Sequence, residues 1–382
     1  MSNSEPGGTG TDSRMSANED RSSSTEARAL SARKWRPFIP QDQLTGSEPD
    51  FALAADLIEL TALLVPDRRA LIAELASALE IGQDEYADLD DVLRTRDRMT
   101  DETTAELETR ARLLGSAYPF LLSPNGATLT FKEEGRNWGK TLYLLSLILS
   151  HLPSEHSPVL EQSGLVPDAD DIIRLRRWFQ YCAAAGVAGE IGGDAWAFGW
   201  PRPDSSAFLQ KLKSIWAKLK DGDVRETPSA GSPPHVKDDE IDIIAARLSC
   251  DGLHGFPIIL GQVASGNNWL SKPLRGHADH VFYPEWFSTT PASQTLVYHV
   301  IPFVVDPRLL RRETRRLGHL MHRVRLCSRA LEAHEALKRG VSMQIEGTEA
   351  FDEVDQWVSG FRLRVDRPVP ANGDTAEAGH SK

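Results

Sequence analysis

Two short apolar runs in the second half of the chain constrain its fold more than any other feature. Residues 241–246 (IDIIAA) and 258–263 (IILGQV) have the length and β-branched composition of buried strands, and each contains one polar residue, Asp242 or Gln262. A third such run follows at 296–305. Strands and helices in this order predict a compact α/β sandwich. The other elements predicted in this half are helices at 169–185 and 205–219 and a strand at 195–198.

The first half of the chain has helical periodicity instead. Leucines recur at helical spacing over residues 51–79, and Pro66 interrupts them, which predicts a helical hairpin. Further helices are predicted at 103–114 and 139–152, with a short strand at 128–132. We therefore expect this half to be mainly helical.

These patterns divide the chain into two predicted domains and two tails. Polar segments with few apolar side chains cannot bury enough surface to offset their ordering entropy, so we expect them to be disordered. The predicted divisions are a disordered tail at 1–45, a helical N-terminal domain at 48–155, an α/β domain at 165–365 with a linker at 220–236, and a disordered tail at 368–382.

Cysteine use and hydropathy narrow the class of protein. Cys182, Cys250 and Cys327 are far apart and form no CxxC pair, which excludes a disulfide framework and a cysteine-rich zinc site. The longest apolar stretch, around 141–152, is well short of the roughly 18 to 20 residues needed to span a bilayer. We expect a cytoplasmic protein without a membrane partner.

The net charge of −12 is unevenly distributed along the chain. Residues 47–110 contain 17 acidic residues, 6 arginines and no lysine, so this segment alone has a charge of −11. The rest of the chain is close to neutral. Nucleic-acid phosphates are bound by Lys and Arg, but the negative net charge of the whole chain does not exclude such a partner, because the excess acidic residues are confined to one segment.

Two motifs resemble known binding sites, but neither has the full residue pattern of the site that it resembles. GRNWGKT at 135–141 resembles a phosphate-binding loop, but it has three residues between its glycines where that loop has four. GHADH brings His277 and His280 to a spacing that suits a metal, without the further ligands expected of a zinc site. We favour neither nucleotide binding nor zinc at these segments.

Asp242 and Gln262 together have the chemistry of a metal site. An acidic residue at the start of one strand and a polar residue at the end of the next can meet at one edge of a sheet. Their carboxylate and amide oxygens are hard ligands of the kind that Mg²⁺ prefers. The alternatives are a solvated acidic loop leading to Asp242 and a Gln262 that satisfies buried backbone groups.

DDEIDIIA at 238–245 and IILGQVASGNNW at 258–269 also support a family resemblance. The chain from about 169 to 305 resembles the PD-(D/E)xK nuclease superfamily, and specifically its Mrr-type restriction endonucleases, in which a Gln replaces the second acid. GQVASGNNW and the YPF segment at 118–120 are similar to a bacterial, defence-associated group. The resemblance implies a restriction-endonuclease-like α/β sandwich core, Mg²⁺ or Mn²⁺ as cofactor, and DNA as substrate.

The same resemblance implies roles for individual residues on the two strands. Asp242 matches the metal-binding Asp and Gln262 the second-acid position, but Ala264 stands where the family has a Lys. That lysine stabilises charge at the phosphate or positions the attacking water, and alanine can do neither. Lys272, predicted on a helix after the strand, or Lys237, just before Asp242, would have to supply the ammonium group.

The helix before the strands is expected to add a further polar group. The family position on the predicted helix falls on Gln180, which is again an amide rather than a carboxylate. Glu190 is the nearest alternative acid.

An arginine stripe follows the predicted sandwich. Asp306-Pro307 predicts a helix cap with proline in the first turn, and arginines then recur at helical spacing, continued by His319, His322 and Arg323. Such a stripe can contact successive phosphates. The alternatives are a solvated or salt-bridged face, or one occupied by the acidic segment 47–110. The arginines proposed to bind nucleic acid are Arg308, Arg311, Arg312, Arg315 and Arg316.

The sequence therefore predicts a metal-dependent nuclease that hydrolyses DNA phosphodiesters. Defence against phage or foreign DNA, and protein partners in a multi-component system, are implied by the resemblance alone. The alternative is a catalytically degenerate module of the same fold that binds nucleic acid or a partner protein. Ala264 and the amides of Gln180 and Gln262 favour this alternative.

Overall fold

The computed structural model describes residues 37–44, 48–80, 89–152, 159–229 and 236–365. The predicted tails lie outside the described residues, apart from 37–44, where Gln41–Leu44 forms a short helix (α1) with a buried Leu44. Residues 230–235 of the predicted linker also lie outside them.

Helices dominate the N-terminal half, residues 48–162. The first long helix begins at Asp50, whose carboxylate accepts a hydrogen bond from the Leu53 backbone N at 2.9 Å. The predicted hairpin over 51–79 is confirmed, while the helix predicted at 103–114 begins earlier in the chain. The elements are α2 Phe51–Leu64, β1 Arg69–Leu71, α3 Ile72–Glu80, α4 Leu89–Leu114, β2 Phe120–Leu122, β3 Thr128–Phe131, α5 Trp138–Leu149 and α6 Val159–Gln162.

The C-terminal half, residues 169–365, is built on a mixed sheet. Its elements are α7 Ala169–Ile191, β4 Asp194–Ala197, α8 Phe208–Leu219, β5 Asp223–Val224, β6 Ile243–Ala246, β7 Ile258–Val263, α9 Tyr283–Trp286, β8 Phe287–Thr289, β9 Thr295–Val300, α10 Pro307–Leu317, β10 His319–Met321, α11 Arg323–Lys338 and α12 Ala350–Val365.

One five-stranded sheet organises this half, with the strand order β10-β9-β7-β6-β4. Strand β6 is antiparallel to both of its neighbours, β4 and β7, whereas β9 and β10 run parallel to β7. The prediction of an α/β class is confirmed, and the strand predicted at 258–263 has the observed bounds. The run at 241–246 forms a strand only from Ile243 onward.

Two apolar cores lie on opposite faces of the five-stranded sheet. The first contains Phe179 of α7 and Ile259 of β7, and it continues into the N-terminal half through Leu57. The second contains Trp216 of α8 and Leu260 of β7. Because residues two apart on a strand share a face, the side chain after Leu260 on the second face is that of Gln262. The first core is continuous across the predicted domain boundary. The division of the chain into two domains stays a prediction.

The predicted arginine helix is shorter than its sequence pattern. It begins at the Asp306 cap with Pro307 in its first turn, and it ends at Gly318, whose φ of 109° leaves the helical region. His319 therefore lies in β10, and Arg323 begins α11 and is fully buried. None of the helices in the described residues combines the length and the apolar character that a bilayer crossing requires.

Candidate functional site

Asp242 is held by backbone contacts at the point where β6 begins. Its amide N donates to the Gly261 carbonyl at 2.8 Å, and its own carbonyl accepts from the amides of Phe198 and Gly199, each at 2.8 Å. The carboxylate Oδ2 accepts from the Val263 amide at 2.8 Å. The ends of β4 and β7 therefore fix the position of this carboxylate.

The Asp242 carboxyl has a strongly altered acidity. Burial raises its pKa to about 7, and the negative charge of Asp238 adds to the rise. The hydrogen bond from Val263 and the positive charge of Lys272 oppose it. The group therefore changes its protonation state near neutral pH, where a proton acceptor or donor is most effective.

Asp242 begins a row of three polar side chains across neighbouring strands. The pairing of Ile243 with Gly261 sets Asp242 opposite Gln262, and Gln262 pairs in turn with His299 of β9. Equivalent positions on paired strands share a face, so the three side chains project from the same face of the sheet. We call Asp242, Gln262 and His299 the polar row.

The polar row is buried but poorly paired. Gln262 is 4% exposed and His299 is fully buried. Within the described residues, neither Gln262 Oε1 nor either ring nitrogen of His299 has a hydrogen-bond partner. A buried polar atom without a partner costs about 1 to 3 kcal/mol, so such atoms are rare unless a ligand or an ion pairs with them.

His299 is held in its neutral form. Burial lowers its pKa to about 4; the Trp269 backbone opposes this shift, and the positive charges of Lys272 and Arg316 add to it. The Trp269 ring lies beside the imidazole, with 6.1 Å between ring centroids. The neutral ring keeps one nitrogen as an acceptor and the other as a donor.

Gln180 of α7 reaches the same end of β6. A Cβ built on Gly199 would lie 2.2 Å from Asp242 Oδ1 and 2.3 Å from Gln180 Nε2, so these two atoms converge at the open side of this glycine. The Nε2 atom is buried and has no hydrogen-bond partner among the described residues. Gly199 is thus required for the close approach of Asp242 and Gln180.

Ala264 occupies an apolar environment at the position where the family has a lysine. It is 3% exposed and packs in a small cluster with Ile301 and Val305. The partly buried Trp269 and the Leu310 side chain of α10 cover this cluster. An ammonium group is therefore absent from this position and would be poorly solvated in it.

The two candidate lysines have different outcomes. Lys272 is close enough to affect the pKa of both Asp242 and His299, but it caps a short 3₁₀ helix, Asn267–Ser271, so its predicted α-helical position is wrong. The side chain of Lys237 is exposed, and its carbonyl accepts a hydrogen bond from Arg202. A tight turn at 238–241 lies between Lys237 and Asp242, and the charge of Lys237 is not among those that shift the pKa of Asp242.

Glu190 does not belong to the site. Its carboxylate pairs with Arg329 at 2.7 Å and accepts from the Tyr298 hydroxyl at 3.0 Å. Ten residues of α7 separate it from Gln180, which corresponds to about 15 Å along a helix. The prediction of Glu190 as an alternative acid is therefore wrong.

The five arginines of α10 are all exposed, but they differ in their partners. Glu313, which is buried on the same helix, pairs with Arg312 at 2.6 Å and with Arg316 at 2.5 Å. Arg308 pairs with Asp306 at 2.6 Å and with Glu48 of the acidic segment at 3.0 Å. Two of the five, Arg311 and Arg315, have no ion-pair partner in the described part of the chain. These two are the most available to phosphates.

The two disfavoured motifs have structural roles. Lys140 of the glycine-rich segment donates to the Glu134 carbonyl at 2.8 Å, and Asn137 caps α5. His277 bonds to the Asp239 carbonyl at 3.0 Å, while His280 is exposed. Across the described ranges, no group of three or more His, Cys, Asp or Glu side chains is arranged to bind a metal ion.

Two residues of the site were not expected from the sequence. His299 lies in a predicted strand, where a histidine within an apolar run was an available signal. Gly199 had no such signal, because its role depends on the positions of Gln180 and Asp242. No protein-family model, curated protein or solved structure matches this chain.

Proposed function

We propose that the chain is a metal-dependent nuclease that hydrolyses DNA phosphodiesters at the site formed by Gln180, Asp242 and Gln262. The observation that supports this function most directly is the convergence of the three residues from separate segments of the chain. Three strands of one sheet, β4, β6 and β7, follow one another along the chain. Asp242 immediately precedes the second of these, β6, and Gln262 lies near the end of the third, β7. This arrangement agrees with the restriction-endonuclease-like core that the sequence resemblance implied.

The donor atoms present fit a hard cation such as Mg²⁺ or Mn²⁺. Gln262 Oε1 is a buried acceptor without a donor among the described residues, and it lies across from the Asp242 carboxylate. Mg²⁺ typically keeps several waters and takes one or two carboxylates together with substrate phosphates, so one carboxylate is enough. Bound by Asp242 and Gln262, the cation would polarise the phosphodiester and activate water.

The other side chains have roles that follow from their charge. Ionised Asp242 accepts a proton or orients a water molecule, because its pKa lies near neutral pH. Lys272, whose charge acts on both Asp242 and His299, stabilises negative charge at the phosphate in place of the lysine missing at Ala264. Arg311 and Arg315 bind the phosphate backbone beside the site.

The test is nicking of supercoiled plasmid in Mg²⁺ or Mn²⁺ by the parent chain and by Asp242→Asn. The substitution keeps the shape of the side chain and removes its charge, and we expect it to slow cleavage about 100-fold or more. The matched control is Glu240→Gln, which neutralises an exposed carboxylate two residues away. If Asp242→Asn cleaves as fast as the control, this site does not catalyse the reaction.

A second candidate function is nucleic-acid binding without cleavage. The apolar burial of Ala264 and the single carboxylate of the site favour it. In that case the parent chain does not cleave DNA with either metal but binds it. The double substitution Arg311→Ala and Arg315→Ala then weakens DNA binding and makes it less dependent on salt concentration. Partner proteins, a role in defence and a cytoplasmic location stay predictions from the sequence.

A further inference from the structure

An open apolar groove lies in the N-terminal half, and no residue of the candidate site lines it. Its volume is about 810 Å³, and it lies between α2, α3, α4 and the turn that joins β2 to β3. Several of its apolar side chains keep accessible surface, above all Leu71 of β1, which is 46% exposed, and Ala73 and Ala105, which are also exposed. The groove is large enough for an aromatic side chain together with its neighbours in a chain.

Three carboxylates border this groove. Glu74 of α3 and Asp101 and Glu108 of α4 line it, each is exposed, and none of them forms an ion pair within the described residues. Arg69 is the one basic residue among the described residues that line the groove. Apolar surface and net negative charge are therefore combined here, so the groove favours an occupant that is both apolar and cationic.

The first described residues of the chain form part of the groove. Pro37 and Ile39 line it, and the Phe38 backbone N donates to the Ser163 hydroxyl at 2.7 Å, which holds the chain there. One residue spans at most about 3.6 Å, so the Cα of Trp35 lies within about 7 Å of that of Pro37. The covalent connection therefore keeps the preceding segment beside the groove, at an effective concentration of millimolar order.

The composition of residues 27–36, which we call the basic segment, matches the groove. Its sequence, ARALSARKWR, contains four basic residues and no acidic one, so its charge is +4. Apart from methionine, Leu30 and Trp35 are the only large apolar side chains in residues 1–36, and both lie in this segment. We propose that the basic segment docks in this groove of its own chain, with Trp35 on the apolar surface and the basic side chains at the three carboxylates.

Covalent connection favours this occupant over a separate molecule of the same chemistry. A second chain or a free peptide loses translational and rotational freedom when it binds, whereas the basic segment is already beside the groove. Burial of the Trp35 ring supplies apolar contact, and the opposite charges set the direction of the segment across the groove. The docking involves no residue of the candidate site, so it does not depend on the proposed nuclease function.

The experiment is limited trypsin digestion of the full chain, followed by mass spectrometry. The rate of cleavage after Lys34, in the basic segment, is divided by the rate after Arg14, which lies earlier in the same tail. A synthetic peptide of residues 1–40 gives the same ratio without the groove and so corrects for the sequence preference of trypsin. Trypsin cleaves the undocked population, and we expect the ratio in the chain to be at least about tenfold lower than in the peptide.

Two groove variants decide the result, because closeness to Pro37 slows cleavage after Lys34 by itself. Asp101→Lys reverses one carboxylate of the groove and should raise the ratio about fivefold. Its matched control is Glu102→Lys, an exposed neighbour on α4 that does not line the groove. Leu71→Ser removes exposed apolar surface from the groove and should also raise the ratio about fivefold. Its control is Leu253→Ser, at a position that is 65% exposed and outside the groove.

The outcomes separate docking within one chain from the other possible occupants. Protection that is independent of protein concentration and is reduced in both groove variants supports the proposal. Protection that disappears on dilution means that the basic segment docks in a second copy, which contradicts docking within one chain. The proposal is also wrong if the ratio equals that of the peptide, which leaves the groove to a separate partner, or if both groove variants behave as their controls. Plasmid nicking has no bearing on these results, because none of the variants changes Asp242.

Discussion

Two buried polar regions of this molecule differ in how completely their atoms are paired. The first, which we call the buried ion cluster, consists of Asp56, Glu59, Arg110 and Arg323. Arg110 contacts Asp56 at 2.6 Å and Glu59 at 3.0 Å, and Arg323 contacts Asp56 at 2.7 Å. Each carboxylate therefore has a cationic partner, and the cluster ties α11 of the C-terminal half to α2 of the N-terminal half.

The second region is the polar row with Gln180, and its pairing is incomplete. Gln180 Nε2, Gln262 Oε1 and both ring nitrogens of His299 have no hydrogen-bond partner within the described residues. Low dielectric makes a paired buried group rigid and an unpaired one costly. The comparison indicates a structural role for the buried ion cluster, and the incomplete pairing of the polar row supports the proposal that it binds a ligand.

The pKa values of Asp56 and Asp242 shift in opposite directions, although burial acts on both carboxyl groups. Burial alone would raise the pKa of Asp56, but the guanidinium groups of Arg323 and Arg110 hold it well below its usual value. Asp242 lacks a cation in direct contact, so burial raises its pKa to about 7. Ionisation of Asp56 thus stabilises the fold, whereas ionisation of Asp242 costs stability.

The largest effect is expected from Asp56→Ala. Arg110 keeps Glu59 and Glu106 as partners, but Arg323 is left with an uncompensated buried charge, which should lower the free energy of unfolding by about 3 to 5 kcal/mol. Urea denaturation at neutral pH measures it. The control is Asp101→Ala, an exposed position on α4, with an expected change within about 0.5 kcal/mol. Equal effects of the two substitutions would contradict a structural role for the buried ion cluster.

A smaller, pH-dependent effect is expected from Asp242→Asn. The unfolded carboxyl ionises near 3.8 and the folded one near 7, so the folded state binds more protons between these values. The stability of the parent chain therefore falls as pH rises through this window, while the variant lacks this contribution. Because Asp242 is partly exposed, we expect the variant to be more stable by about 2 kcal/mol at pH 8.

The measurement for this variant is denaturation at several pH values. At pH 3.5 the parent and Asp242→Asn should have nearly equal free energies of unfolding, because the carboxyl is protonated in the folded parent and mostly protonated in the unfolded one. A difference that is the same at every pH would contradict the raised pKa of Asp242. It would also weaken the contrast with Asp56.

Much of the candidate site followed from local sequence patterns. The apolar run ending in Gln262 predicted its strand with the observed bounds, and Asp242 followed from the neighbouring run because adjacent antiparallel strands share an edge. These two inferences need only periodicity and short connections. Gln180 followed instead from the family resemblance, which implies a polar group on the helix before the strands.

The rest depends on contacts between distant parts of the chain. His299 meets Gln262 through a parallel pairing of β7 and β9, and no local pattern fixes that register. Arg323 and Asp56 are 267 residues apart, so the sequence spacing predicted Arg323 only as part of a surface stripe. The family resemblance implied a helix at Lys272, and the 3₁₀ segment Asn267–Ser271 that forms there instead has no clear periodicity in the sequence.

The smallest effect, and the sharpest test of the comparison, is expected from Gln262→Leu. Leucine has a similar size and no polar atoms, so the change removes an unpaired buried acceptor rather than a satisfied one. Removing such a group is nearly neutral or stabilising, and we expect the free energy of unfolding to stay equal or to rise by about 1 kcal/mol. Plasmid nicking should be lost at the same time, because the amide oxygen that would bind the cation is gone. A loss of more than about 2 kcal/mol would mean that Gln262 is as structural as Asp56. The contrast between the polar row and the buried ion cluster would then disappear.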